Sequence, residues 1–199
     1  LEDEQALRCQ RRQAVVRDAE GYVGRAGLFR RRGPFKQPGG GGECRSCGKL
    51  GCGILEAMAI RVLRAAPPRF VLVGLSMGGI VASEIARLAS ERVLAMALLD
   101  TNLGVADDLQ LRTRRRWASD VRSGRFAQVV EELVPTLTIS PEAHGPLRVE
   151  MATAVGPAGF LRQNEALLHR RDQQSAASRV QGPTLIACGS HDRLCSPRA

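Results

Sequence analysis

A serine between two glycines is the feature of this sequence that could carry out chemistry most directly. Gly74-Leu75-Ser76-Met77-Gly78 fits the pattern G-x-S-x-G, in which a sharp turn presents a serine hydroxyl. In a chain of 199 residues with 21 Gly and 11 Ser, roughly 0.1 such matches would arise by chance. The pattern therefore needs support from the residues around it.

The neighbouring residues give that support. An apolar run, FVLV at 70–73, is typical of a buried parallel strand, and residues 80–88 have the apolar pattern of a helix. A strand-to-helix turn would strain the backbone of Ser76 and lift its hydroxyl clear of the sheet. We expect side chains at Gly74 and Gly78 to clash across this turn. The N–H of Met77, at the helix N-terminus, is then directed at a developing oxyanion. The alternative is a Gly-rich turn with an incidental serine.

The elements that must position Ser76 alternate between strand and helix. Helices are predicted at 54–65 and 80–88, and strands at 70–73, 93–99 and 184–188. Between the second and third strands, residues 107–168 are helical in pattern and poor in strands. The sequence therefore predicts an α/β fold, a parallel sheet flanked by helices, with a helical lid inserted at about residues 103–180.

Three segments, FVLVGLSMGGIVASEIA, RVLAMALLDTN and GPTLIACGSHDRLCSP, resemble the α/β-hydrolase superfamily, particularly its small lidded esterase-like and acyl-hydrolase members. The resemblance covers about residues 54–199 and implies a partial α/β-hydrolase fold. It implies that Ser76 is the nucleophile, that the Met77 N–H helps bind the oxyanion, and that Asp192 is the orienting acid. Asp100, after the second strand, is the alternative acid, or a carboxylate that only caps the strand end.

The same resemblance implies a serine-dependent hydrolase that cleaves an ester or another small-molecule acyl substrate through an acyl-enzyme, with no cofactor and no metal. The family's catalytic histidine follows the acid by some tens of residues, whereas this sequence ends seven residues after Asp192. His191 adjoins Asp192, so their side chains diverge, and His144 and His169 lie in the predicted lid. We therefore expect the catalytic base to be missing and the chain to be nearly inactive.

The net charge of +9 is unevenly distributed. Residues 1–53 hold 9 Arg, both Lys and 6 acidic residues, a net +5, whereas residues 54–199 hold 18 Arg and 14 acidic residues, a net +4. We predict that residues 1–53 are an irregular or disordered Arg/Gly-rich segment that is foreign to the fold. Within this segment, residues 5–19 could form one polar helix. The charge then marks a domain boundary and predicts no nucleic-acid partner.

A cysteine cluster offers a different class of function. Cys44, Cys47 and Cys52 place three thiols within nine residues, which resembles half of a zinc site. Only the distant Cys9 could supply a fourth thiol. The alternative function is therefore a zinc-stabilised basic protein that binds nucleic acid or another partner.

The lid and the cellular setting complete these expectations. Four arginines, Arg112, Arg114, Arg115 and Arg116, stand on one predicted helix, either as an anionic-substrate patch over Ser76 or as a solvated face. An apolar stripe is expected to pack the lid onto the sheet; its members are Phe126, Val129, Val130, Leu133 and Val134. Without a signal peptide or an apolar run of roughly 18 residues, the sequence predicts a cytoplasmic protein with no membrane partner. Missing strands would expose apolar edges at residues 73 and 188 and lower solubility.

Overall fold

The computed structural model describes residues 13–15, 52–192 and 194–195 of the chain. Its strands are β1 (Gln13–Val15), β2 (Phe70–Leu75), β3 (Val93–Leu99) and β4 (Thr184–Ala187). Its helices are α1 (Cys52–Ala65), α2 (Met77–Ala89), α3 (Asp108–Arg122), α4 (Phe126–Leu137), α5 (Pro141–Leu168) and the short α6 (Gln174–Ala177), with a 3₁₀ turn at Ser90–Arg92.

The described strands form one parallel sheet in the order β1-β4-β3-β2. Leu75 at the end of β2 is opposite Leu99 at the end of β3, and Leu99 is opposite Ala187 at the end of β4. The carboxyl ends of these three strands are therefore level. Residues that follow them meet at one edge of the sheet, where α/β folds bind their ligands.

One face of the sheet is covered by α2, and α1 packs against α2. The buried side chains between them form the core around Leu72, Ile85, Met96 and Leu98. The opposite face is open at β2, where Val71, Val73 and Leu75 are 62%, 53% and 59% exposed. Parallel strands are normally buried on both faces, whereas among the described residues helices cover β2 on one side only.

The lid consists of α3, α4 and α5, which pack against one another. Asp107 caps α3 by accepting a hydrogen bond from the N–H of Gln110 at 2.8 Å. In α4, Val129 and Val130 are buried, and the Phe126 ring meets the Phe160 ring of α5 edge-on with centroids 5.9 Å apart. The apolar stripe of α4 thus joins the lid helices to one another. The expectation that it packs the lid onto the sheet was wrong.

The predicted strands and helices of residues 54–199 are confirmed within a few residues of their ends. The prediction for residues 1–53 was wrong at Gln13–Val15, which the structure places as a strand paired with β4 instead of in an irregular segment or helix. The β-branched Val15 and the free edge of β4 favour that pairing. β2 is an edge strand as expected, whereas β4 has a partner along three residues.

None of the described helices combines the length and the apolar character that a bilayer crossing requires. Among the same residues there is no cluster of His, Cys, Asp and Glu side chains arranged to hold a metal ion. Cys9, Cys44, Cys47 and the side chain of Cys52 lie outside the described residues. The zinc interpretation therefore stays a prediction.

Candidate active site

Ser76 occupies the single residue between β2 and α2, and its backbone is strained. Its φ of 50° and ψ of −120° place it in a conformation that residues other than glycine rarely adopt. The backbone N–H of Ser76 donates to the Leu99 carbonyl at 2.9 Å, which fixes the turn to the end of β3. The side chain is exposed and does not cap α2. Its hydroxyl is therefore available for chemistry.

The glycines around Ser76 have unequal roles. A Cβ on Gly74 would lie 2.5 Å from the Cα of Gly79 and 2.6 Å from the carbonyl oxygen of Gly78. A Cβ on Gly79 would collide with the side chain of Thr101, whereas a Cβ on Gly78 would meet no atom within 4 Å. The expectation of a clash was right for Gly74 and wrong for Gly78, because Gly78 is exposed on the first turn of α2.

Thr101 is a contact that sequence reasoning missed. Its hydroxyl lies 2.8 Å from the Leu99 carbonyl oxygen and 3.1 Å from the Ser76 carbonyl oxygen. One hydroxyl thus bridges the end of β3 and the turn that carries the serine. The sequence signal was limited to the position of Thr101 two residues beyond a predicted strand. Nothing in the spacing showed that it would pack on Gly79.

Met77 is the first residue of α2, as the sequence predicted. The N–H groups of Gly79 and Ile80 donate to the Ser76 carbonyl at 2.9 and 3.4 Å. The N–H of Met77 precedes these and belongs to the helix end, where no intrahelical acceptor exists. The positive end of the helix dipole adds to the attraction for an oxyanion at this point.

Asp100 follows β3 directly and has a positive φ of 44°. Its backbone N–H donates to the Ala187 carbonyl at 2.9 Å, and its Oδ1 accepts from the N–H of Gly189 at 2.9 Å. The carboxylate thereby ties the end of β3 to the loop after β4. These contacts favour the interpretation of Asp100 as a strand-end carboxylate.

Asp192 lies in the loop after β4, where its backbone N–H bonds to the Gly189 carbonyl at 3.0 Å. Its Oδ1 accepts from the N–H groups of Leu194 and Cys195 at 2.7 and 2.9 Å. Both of these bonds use one oxygen of the carboxylate.

Cys195 joins the two candidate acids. Its Sγ–H donates to the Asp100 carbonyl oxygen at 3.1 Å, while its backbone N–H donates to Asp192. Burial, together with the nearby carboxylates of Asp192 and Asp100, raises the pKa of the Cys195 thiol to about 11. The structure therefore brings Asp100 and Asp192 to the same edge of the sheet as Ser76.

Two of the histidines form their described contacts with residues other than Ser76 and Asp192. His169 Nε2 lies 3.0 Å from Glu165 Oε1, and His191 Nδ1 lies 3.1 Å from Ser190 Oγ. His144 is in the first turn of α5, within the lid. Among the described hydrogen bonds, none joins an imidazole to Ser76 or Asp192.

Comparison with known proteins places this geometry in a family. The family model described as "Alpha/beta hydrolase family" matches residues 43–199. A pimeloyl-[acyl-carrier protein] methyl ester esterase of Klebsiella pneumoniae subsp. pneumoniae is 53% identical over 161 residues, which cover 74% of this chain and 61% of that protein. The chain thus spans about six tenths of the length of this curated relative.

Solved structures show the same fold. A thermophilic esterase from Thermogutta terrifontis, solved with malate bound, superposes with a TM-score of 0.63 at 28% identity over 72% of this chain and 57% of that one. An enol-lactonase from Burkholderia xenovorans LB400 has a TM-score of 0.59 at 20% identity, covering 73% and 56% of the two chains. The strained serine after β2, the parallel sheet and the extent of the family match agree: the chain belongs to the alpha/beta hydrolase family, a family of enzymes.

Proposed function

We propose that this chain provides the nucleophile, an oxyanion donor and the acid of a serine hydrolase that cleaves an ester. The observation that carries the proposal is Ser76 itself, exposed and held at φ 50° between a parallel strand and a helix N-terminus. A serine used only for structure would spend its hydroxyl on capping α2, and the hydroxyl of Ser76 makes no such bond. The strain is then explained by presentation of the nucleophile.

The reaction follows from the groups around this serine. Ser76 Oγ attacks the ester carbonyl while a base removes its proton, and the N–H of Met77 stabilises the resulting oxyanion. Collapse of this intermediate breaks the bond to the alcohol, which leaves with that proton, and Ser76 keeps the acyl group. Water then attacks the acyl-enzyme, releases the carboxylic acid and restores the serine.

Asp192 is the residue to which we assign the orientation of the base. In serine hydrolases the carboxylate holds an imidazole in the tautomer that accepts the serine proton. Asp192 Oδ1 is bonded to two backbone N–H groups, which fix the carboxylate in place. Oδ2 is then the oxygen that faces an imidazole N–H. Asp100 is the second candidate, and its bond to Gly189 makes it a tie between strands.

An ester is favoured as the substrate class because two of the similar proteins are named as esterases. We extend this to a small-molecule acyl substrate for the present chain, with the protein working in the cytoplasm and without a nucleic-acid partner.

In our proposal, none of the three histidines of this sequence acts as the catalytic base. His169 and His191 are bonded to Glu165 and Ser190. Loss of the histidine from a serine triad lowers turnover by a factor on the order of 10⁶. We therefore expect the chain alone to hydrolyse esters slowly, and added imidazole to accelerate it by replacing the missing base.

Hydrolysis of p-nitrophenyl butyrate by the purified chain, with and without imidazole, tests this proposal. The expected result is slow, imidazole-stimulated release of p-nitrophenol above the release by imidazole without protein, and this excess should disappear in Ser76→Ala. The matched control is Ser123→Ala, which removes an exposed serine at the end of α3 and should leave the rate unchanged. Equal rates for the wild type and Ser76→Ala would overturn the proposal.

A further inference from the structure

The four arginines of α3 do not form one surface. Arg112, Arg115 and Arg116 are exposed, and Arg116 pairs with Glu132 and Asp120. Arg114 points inward instead and is largely buried. Burial, with the neighbouring guanidinium of Arg170, lowers the pKa of Arg114 to about 10. One arginine of this helix is therefore in an environment that disfavours its charge.

Arg114 has polar contacts but no carboxylate partner in the part of the chain that the structure describes. Its Nη1 donates to Asn164 Oδ1 at 3.3 Å, and Asn164 Nδ2 donates to the Arg114 carbonyl at 2.9 Å. The Nε–H of Arg114 is buried without an acceptor among the described residues. A buried donor of this kind costs about 1–3 kcal/mol when nothing accepts from it.

Arg170 lies beside Arg114. Its Nε donates to the Gly104 carbonyl at 2.8 Å, and its Nη2 is 3.5 Å from Gln110 Oε1. Gln110 and Arg114 are four residues apart on α3, so their side chains are neighbours on one face of that helix. A guanidinium that contacts Gln110 is therefore adjacent to Arg114. Burial also lowers the pKa of Arg170.

Arg114 and Arg170 lack ion-pair partners among the described residues. None of the described ion pairs includes Arg114 or Arg170. The nearby carboxylate of Asp107 acts on the charge of Arg170 but is bonded to the N–H of Gln110. Like charges that are partly desolvated repel each other, and a protein keeps them together at a cost in stability.

Their position relates them to the candidate active site. Gly104, which Arg170 contacts, is in the loop that leaves β3 four residues after Asp100. Cys195, which bonds to the Asp100 carbonyl, is close enough to Arg170 to influence its charge. The arginine pair therefore lies under α3 at the edge of the sheet where the candidate catalytic residues are found.

We propose that Arg114 and Arg170 form a subsite for an oxyanion, a carboxylate or a phosphate, that the substrate carries away from the ester attacked by Ser76. This inference rests on the proposed function of Ser76 and adds the substrate class, an anionic ester. A planar guanidinium with free N–H groups matches the two oxygens of such an anion, and two of them together match it better.

Thermal unfolding in the presence of inorganic phosphate or succinate, at constant ionic strength, tests the subsite without requiring catalysis. We expect one or both anions to raise the Tm of the wild type by about 4 °C at a concentration roughly ten times the Kd. Arg114→Gln and Arg170→Gln should weaken this binding at least tenfold. Arg115→Gln, on the same helix but exposed, should bind as the wild type does. Comparison of the two anions distinguishes a phosphate subsite from a carboxylate subsite.

Two further readouts separate this inference from alternatives. Without an anion, Arg114→Gln should be at least as stable as the wild type, because the substitution removes an uncompensated charge. A lower Tm for unliganded Arg114→Gln would show that Arg114 has a structural role through its contact with Asn164, and would overturn the inference. Equal anion effects in Arg114→Gln and Arg115→Gln would also overturn it. So would the absence of any anion effect in the wild type. Ser76→Ala should keep the anion effect, so a failure of the proposed nucleophile is recognised independently in the ester assay.

Discussion

At Ser76 the backbone conformation separates this serine from the other serines that the structure describes. Among the described residues other than glycine, a positive φ occurs at Ser76 and Asp100, which follow the ends of two adjacent strands. Such strain costs on the order of 1–3 kcal/mol and persists only when surrounding contacts enforce it. At Ser76 the enforcing contacts are the bond to Leu99, the close approach of Gly74 to Gly79, and the Thr101 hydroxyl.

The packing of Gly79 on Thr101 predicts opposite outcomes for two adjacent glycines. Gly79→Ala should destabilise the protein by about 1–3 kcal/mol, because the new Cβ would overlap the Thr101 side chain. Gly78→Ala should be neutral or stabilising by up to about 1 kcal/mol, because its Cβ meets open space and alanine favours the helix. Urea unfolding followed by circular dichroism measures both. A Gly78→Ala variant less stable than Gly79→Ala would contradict this packing.

At the scale of elements, a buried carboxylate joins α2 to the chain that returns from the lid. Glu84 is 1% exposed, and its Oε1 accepts from Arg87 Nη2 at 2.7 Å and from Nε at 3.1 Å. Its Oε2 accepts from Gln173 Nε2 at 2.9 Å, and the Gln173 N–H donates to the Leu103 carbonyl at 2.9 Å. A single glutamine therefore connects the lid's two attachment points to the core helix.

Removal of that glutamine side chain should loosen the lid attachment. Gln173→Ala leaves Glu84 Oε2 buried without its donor, so we expect a loss of about 1–3 kcal/mol of stability. Gln174→Ala removes an exposed glutamine one residue later and should change stability by less than about 0.5 kcal/mol. Differential scanning calorimetry of the two variants provides the comparison. Indistinguishable Tm values would show that the Glu84 contact is not structural.

These two contacts also show what the sequence could predict. The strands, the helix after Ser76 and the helical lid follow local apolar periodicity, which was sufficient to locate them. The pairing of Gln173 with Glu84 joins residues 89 positions apart, and the contact of Thr101 with Gly79 joins the segments that follow two adjacent strands. Neither contact produces a periodic pattern in the sequence. The burial of Arg114, one of four neighbouring arginines on α3, could not be predicted either, because helical spacing alone did not show which face of the helix the lid buries.

At the scale of the whole molecule, the open face of β2 dominates the expected solution behaviour. Val71, Val73 and Leu75 present an apolar row on an edge strand that lacks a described outer neighbour. Exposed apolar edges of this kind promote association between chains. The charge of +9 opposes association, although much of it belongs to residues 1–53.

A lysine on this face should improve solubility without affecting the fold. Val71→Lys places a charge on a side chain that is 62% exposed, so we expect less aggregation and a stability change within about 0.5 kcal/mol. Leu72→Lys, one residue along on the buried face, should unfold the protein because Leu72 is 8% exposed. Light scattering during storage, with circular dichroism for folding, measures both. Faster aggregation of Val71→Lys than of the wild type would contradict this account of the surface.

Acylation of Ser76 is the measurement that tests the central claim most directly. The chain would be incubated with p-nitrophenyl butyrate and imidazole, quenched in acid, digested and analysed by mass spectrometry. We predict a butyryl group on the peptide that contains Ser76, absent from Ser76→Ala and unchanged in Ser123→Ala. A butyryl group found only on other residues, or one that persists at the same level in Ser76→Ala, would contradict the assignment of Ser76 as the nucleophile.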